Sequence, residues 1–509
     1  MGLRNNYYFS SFFWSTFQKI INAIVGFISV PLLLGYYGKA EYGILGIATA
    51  CNGYMHLLDL GMNTGAVKYF SQWRTEGNNM LINRVARTNI TFYGIISIIN
   101  IFGLIALAIW GESFFSVTHD QFLQLRSCLY IIALFCVLSW GTTTFNQLLV
   151  AHMQMAYTMQ IQSVMALLKG LLIAIALLFS LTLTQYFFLL TGIVALLIVP
   201  YAAKCRRIGL IDSLKPAFFW SDFKVVLMFS LSIFALSLFQ MTSTQSRPIL
   251  LSIFATNGAE AVAEFRIIEV VPQLIIMICG TFSSIFLPKA SELVVNNNQV
   301  EISRFSYKWT IFTTILANCI CFPFLLGAGD VINAYVGNSY EYLSIWLMIW
   351  VVCVLLQVHS TPTNALILAK GKTKIMVYIS AIACIISMVI NAVLAKQLSV
   401  GSAVVGYFVY IIINLFSYYM YYYKKILRIS IISILYSFLY PTLLGTISFL
   451  IAWYICCDIK CSIFDQERFN YIIGFVIKAS LWAFIFVILL LLFRVVWLKE
   501  KKLLTKFDY

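Results

Sequence analysis

Apolar runs of about 20 residues, the length a helix needs to cross a hydrocarbon core, follow one another along the whole chain. Fourteen are read, at 10–36, 41–66, 88–110, 123–150, 156–182, 185–203, 223–254, 259–287, 306–328, 340–366, 374–395, 401–423, 431–455 and 470–495. The gaps between them hold roughly 5 to 25 residues, too few for a soluble domain. Lipid offers the backbone no hydrogen-bond partner, so each run is expected to satisfy its own amides as a helix. The pattern predicts an all-α polytopic membrane protein with about 14 transmembrane helices.

Composition agrees: 61% of the 509 residues are apolar and 10% are charged, against roughly 25% charged in a soluble domain. The net charge of +15 raises the question of a nucleic-acid partner, but the cations form no stripe or patch. They punctuate the gaps, and with the N-terminus inside they collect on alternate, cytoplasmic loops. Lys68, Arg74, Arg84 and Arg87 fall in one inner loop, and Lys204, Arg206, Arg207, Lys215 and Lys224 in another. Lys289, Arg304 and Lys308, then Lys370, Lys372 and Lys374, then Lys424, Lys425 and Arg428 follow, with Lys499, Lys501, Lys502 and Lys506 on the tail. Outer loops keep only Lys39, Arg126, Lys396, Lys460 and Arg468. Both termini are therefore expected in the cytoplasm, and no nucleic acid is expected as a partner. The start, with Arg4 ahead of an apolar run to Gly35 and no small-residue cleavage site, reads as a retained first helix.

The 12 cysteines sit mostly inside apolar runs, where a thiol acts as a small hydrophobe. Cys456, Cys457 and Cys461 are candidates for an outer-face disulfide. No pair has metal-ligand spacing, so neither a metal nor a cofactor is expected.

An internal repeat refines the architecture. Pro31-Leu-Leu-Leu-Gly35 followed by Gly38-Lys39-Ala40-Glu41 aligns, with a gap of two residues, on Pro248-Ile-Leu-Leu-Ser252 followed by Gly258-Ala259-Glu260. The matches fall on helices one and seven, six spans apart, so both halves stand the same way up. Two six-helix lobes, 1–203 and 204–425, and a third segment, 426–509, with two extra helices and a basic cytoplasmic tail are expected.

Charged groups inside spans cost several kcal/mol each unless they pair or reach the interface, so they are functional candidates. They are Lys19, His56, Asp59, Lys169, Arg247, Glu264, Arg266, Glu269 and Lys478. Lys19, Arg247 and Arg266 come from the first two helices of each half, and together suit an anionic headgroup, because guanidinium forks grip phosphate and ammonium adds point charge. The alternative is simple pairing, since Arg266 and Glu269 share a helix face three residues apart. His56 and Asp59 share a face in the same way and, with Glu269, are candidates for ion or proton coupling. Helix packing near Gly61 is the competing reading for the first two. Lys169 lies too deep to reach the interface, whereas Lys478 is read as snorkelling outward. His119, His152 and His359 read as interfacial, and the Tyr418 to Tyr423 run as part of an aromatic belt.

Pro31-Leu-Leu-Leu-Gly35, Gly38-Lys39-Ala40-Glu41-Tyr42-Gly43-Ile44 and Asp59-Leu60-Gly61-Met62 followed by Lys68 make the N-terminal hundred residues resemble the polysaccharide transporter family. That family belongs to the multidrug, oligosaccharidyl-lipid and polysaccharide exporter superfamily. The resemblance extends over residues 8–425 by helix pattern and over the last two helices by count. It implies two six-helix lobes around a cationic cavity, alternating access, and an undecaprenyl-pyrophosphate-linked oligosaccharide moved outward across a bacterial inner membrane. It also implies a groove for the lipid tail on helices thirteen and fourteen, and a monomer driven with or without H+ or Na+. Carrying roughly two negative charges out of a negative interior gains about 4 to 5 kcal/mol per 100 mV. One departure is Lys19, where bidentate phosphate binding favours Arg. A drug or metabolite antiporter of the same superfamily is the nearest rival, although its cationic substrates favour acidic linings. A membrane-embedded polymerase or glycosyltransferase is less favoured, because the outer loops at Glu112 to Gln121 and Asp458 to Asn470 are short.

Overall fold

A computed structural model describes residues 2–213, 215–295, 298–372, 374–456 and 467–493. Among the described residues there is no strand. The helices are α1 (Gly2–Met55), α2 (Met62–Thr75), α3 (Asn79–Trp110), α4 (His119–Ala151), α5 (Met155–Leu178), α6 (Leu183–Ala195), α7 (Ile198–Arg207) and α8 (Trp220–Phe254). They continue as α9 (Gly258–Val295), α10 (Gln299–Leu326), α11 (Ala328–Tyr335), α12 (Ser344–Val358), α13 (Thr361–Ala369), α14 (Lys374–Leu398), α15 (Val400–Ser417), α16 (Ile431–Cys456) and α17 (Glu467–Leu492). Among the described residues, eleven helical segments are long and apolar enough to cross a membrane, so the chain is an all-α polytopic membrane protein.

The helix starts carry the polar side chains that orphan amides require. Asn78 accepts from the Leu81 N–H to open α3, and Asn298 accepts from Glu301 N–H to open α10. Thr118 with Gln121 and Thr182 with Gln185 make capping boxes at α4 and α6. Within α1 the chain bends at Gly38, whose φ of 77° and ψ of 173° lie in a region open to glycine alone. The first two apolar runs thus meet at a glycine hinge.

Hydropathy missed several interruptions. The second run, 41–66, is not one helix: it passes through a 3₁₀ turn at His56–Asp59 and left-handed Leu60 and Gly61 before α2 begins. The run at 185–203 divides into α6 and α7, and that at 340–366 into α12 and α13. Within the tyrosine run Tyr418–Leu427 winds as a π-helix, and Tyr418, Tyr422 and Tyr423 are buried against protein rather than open to the surface. His359 is likewise fully buried, 3.1 Å from the Tyr419 hydroxyl and stacked on Phe438. The proposed disulfide cysteines Cys457 and Cys461, together with Lys460 and the basic tail, lie outside the described residues.

Two compact units emerge, 1–264 with 395–399, and 265–394 with 400–509. In the first, α2, α3, α4, α7 and α8 enclose a core around Phe70, Trp73, Tyr93, Trp140 and Phe223. In the second, α9, α10, α13, the π-helix and α16 enclose Phe286, Phe305, Leu366, Tyr422 and Ile434. In the second unit the Lys478 ammonium pairs at 2.5 Å with Asp330, a residue of α11 148 positions earlier that lies between two apolar spans. Both side chains are about one-fifth exposed, so removing one strands the other in poor solvent. Lys478→Met is expected to lower unfolding stability by about 3 kcal/mol, with Lys478→Met/Asp330→Asn recovering most of it. Thermal unfolding of both variants measures this, and a double variant no better than the single would refute the pairing energy.

Candidate functional site

The break after α1 is built by the residues Asp59-Leu60-Gly61. Leu60 and Gly61 take φ of 52° and 72°, turning the chain so that Asp59 reaches forward and Oδ2 accepts from the Asn63 N–H of α2 at 3.1 Å. The other oxygen, Oδ1, accepts from the Tyr93 hydroxyl at 2.7 Å. Tyr93 accepts in turn from Gln147 Nε2 at 2.8 Å, and Gln147 Oε1 accepts from Asn89 Nδ2 at 2.9 Å. Three elements thereby point a single directed file of donors at one carboxylate. Asn89, Tyr93 and Gln147 are all buried, where a satisfied polar chain is stronger than its members separately and a broken one is costly. His56 stands one 3₁₀ turn before Asp59 and its ring lies 5.1 Å from Trp140, which stacks at 5.5 Å on Tyr93.

Small residues let α8 and the start of α9 close onto this region within the first unit. A Cβ at Gly61 would stand 2.6 Å from the Ser230 carbonyl, one at Gly53 would stand 2.9 Å from Gln245 Oε1, and one at Gly43 would overlap the Ala259 carbonyl. Polar contacts secure the far end. Ser116 N–H donates to the Ser252 carbonyl at 2.6 Å, Gly258 N–H donates to the Ser116 carbonyl at 2.7 Å, and the Ser116 hydroxyl donates to the Ile253 carbonyl at 2.7 Å. Lys39, next to the Gly38 hinge, pairs with Glu264 at 2.7 Å and Glu260 at 3.2 Å.

Of the residues singled out from sequence, His56 and Asp59 come together in one turn, and Arg266 pairs with Glu269 at 2.7 Å on one face of α9. Lys19 is exposed on α1, and Arg247 is 5% exposed on α8, just before Pro248. Lys19 and Arg247 belong to the first unit, Arg266 and Glu269 to the second. Sequence reasoning missed Tyr93, Gln147 and Asn89, which carry no charge, and missed Glu264 as the partner of Lys39. A signal for the first group was present: Asn89, Tyr93, Ser97 and Asn100 repeat at helical spacing along an otherwise apolar run, and all four are buried. Among the described residues no three His, Cys, Asp or Glu side chains converge as a metal site.

The family model described as "Polysaccharide biosynthesis protein" matches residues 9–294. No curated protein sequence matches the chain. Among solved structures the chain is similar to a lipid II flippase in an inward closed conformation, with a TM-score of 0.69 at 13% identity, over 94% of this chain and 98% of that one. It is also similar to an inward-facing multidrug resistance transporter of the same exporter superfamily, with a TM-score of 0.65 at 14% identity, over 86% of this chain and 98% of that one.

Proposed function

The chain belongs to the polysaccharide biosynthesis protein family, and from that premise we propose that it flips an undecaprenyl-pyrophosphate-linked oligosaccharide, an O-antigen, capsule or exopolysaccharide repeat unit, from the inner to the outer leaflet of the bacterial inner membrane. The observation that carries this reading is how far the fold likeness extends: over 94% of the chain with the lipid II flippase, against 86% with the multidrug transporter. A substrate with a long lipid tail gives the extra helices α16 and α17 a use that a soluble drug does not. The substrate passes unchanged, so the protein acts as a transporter and not as an enzyme.

In this reading the lobes are 1–203 and 204–425, the segment 426–509 serves the lipid tail, the chain crosses the bilayer 14 times with both termini in the cytoplasm, and it works as a monomer. Lys19, Arg247 and Arg266 line the path of the pyrophosphate, and Asp59, His56 and Glu269 are the groups through which H+ or Na+ would be coupled. A charge-assisted contact to phosphate is worth about 1.5 to 3 kcal/mol. Arg247→Ala and Arg266→Ala are therefore expected to insert normally and to slow export by about tenfold or more, with lipid-linked oligosaccharide accumulating on the inner leaflet. Arg266→Ala also leaves Glu269 without its ion pair, so Arg266→Ala/Glu269→Gln separates substrate contact from lost pairing. Normal export by Arg247→Ala and by this double variant would remove the cationic path.

A further inference from the structure

Inside the first unit lies a cavity of about 270 Å³ between α1, α4, α5 and α6, room for about nine water molecules at 30 Å³ each. Lys169 lines it from the middle of α5. An ammonium at that depth costs about 2.5 to 3.5 kcal/mol by insertion scales unless something compensates it. Among the described residues Lys169 has no ion pair or hydrogen bond. No Asp or Glu lines the cavity, and the neighbouring Asp59 is committed to Tyr93 and Asn63.

The remaining wall decides what the cavity suits. Thr49, Thr142 and Thr191 spend their hydroxyl protons on backbone carbonyls within their own helices, so they offer lone pairs to water. Asn52 and Ser139 line the same space with donors that no described partner takes up, and the His56 ring opens onto it as well. A lysine amine, an amide, a hydroxyl and an imidazole converge on a space with no carboxylate. Donors arranged around an uncompensated cation are the complement of an anion, and are wrong for a metal ion.

We propose that this cavity binds one small inorganic anion, of halide to phosphate size, with Lys169 as its counter-charge. The proposal does not depend on the flippase reading. Trp140 forms part of the wall, which supplies a local reporter, since bromide quenches indole emission on contact.

The test uses the full chain purified in detergent, titrated with sodium bromide against sodium gluconate at constant ionic strength. A saturable loss of roughly one part in 11 of the tryptophan emission, Trp140 being one of 11, is expected together with a rise in the unfolding midpoint. Lys169→Gln abolishes both, whereas Trp140→Phe removes the quenching and keeps the rise in midpoint. Displacement of bromide by phosphate extends the site to oxoanions, and failure to displace confines it to halides. Bromide effects that are equal in Lys169→Gln and the parent, or indistinguishable from gluconate in the parent, overturn the proposal.

Discussion

Oxidising a Ser116→Cys/Ser252→Cys variant is expected to stop transport, and reduction is expected to restore it. The two backbones already touch, with Ser116 N–H donating to the Ser252 carbonyl at 2.6 Å, a spacing that brings the Cα atoms within reach of a disulfide. Around them Gly258 donates to the Ser116 carbonyl and Lys39 pairs with Glu264 and Glu260. In the proposed orientation, with the N-terminus inside, this cluster faces the outer side. In the proposed alternating-access cycle the α8–α9 turn parts from α1 and from the loop before α4, and a covalent bond forbids it. Residual surface glycan should then track the fraction of uncrosslinked molecules. Either single-cysteine variant serves as control, and wild-type export by the fully oxidised double variant would show that the cluster never opens during the cycle.

The second large effect is expected at Asp59. Asp59→Asn keeps an oxygen to accept from Asn63 N–H, so the cap on α2, worth about 1 kcal/mol, survives and the protein should reach the membrane at normal levels. The amide also puts donors where the Tyr93 hydroxyl now donates, and the file from Asn89 through Gln147 and Tyr93 must reverse or break. Transport in proteoliposomes is expected to fall by about tenfold, the equivalent of one broken buried contact of roughly 1.4 kcal/mol, and to lose its response to an imposed proton gradient. Wild-type rates with an intact gradient response would reduce Asp59 to an architectural part of the turn.

Much of the fold was legible because hydrocarbon imposes one rule on every span, and among the described residues eleven helical segments are long and apolar enough to cross. What hydropathy cannot register is backbone direction. The run at 41–66 is apolar throughout, yet left-handed Leu60 and Gly61 break the helix within it, and only the Asp-Leu-Gly element hinted at a turn. Partners far apart in sequence were equally hidden. The partner of Lys478 was one of these, because Asp330 lies in a different helix. Lys39 read as a loose outer charge until the start of α9 brought Glu260 and Glu264 to it. For the candidate site, charge drew attention to Asp59 and His56 but passed over Tyr93 and Gln147, whose contribution lies in donor direction rather than net charge.

The pairing of Asp330 with Lys478 also sets a schedule for biosynthesis. At about 5 to 20 residues per second, the 148 positions between them take a ribosome roughly 7 to 30 s to translate. Through that interval the Asp330 carboxylate has no ammonium to meet, and the nascent chain carries a mark of incompleteness that only α17 erases. A chain that stops short of Lys478 keeps that mark. The last helix thus certifies the ones made before it.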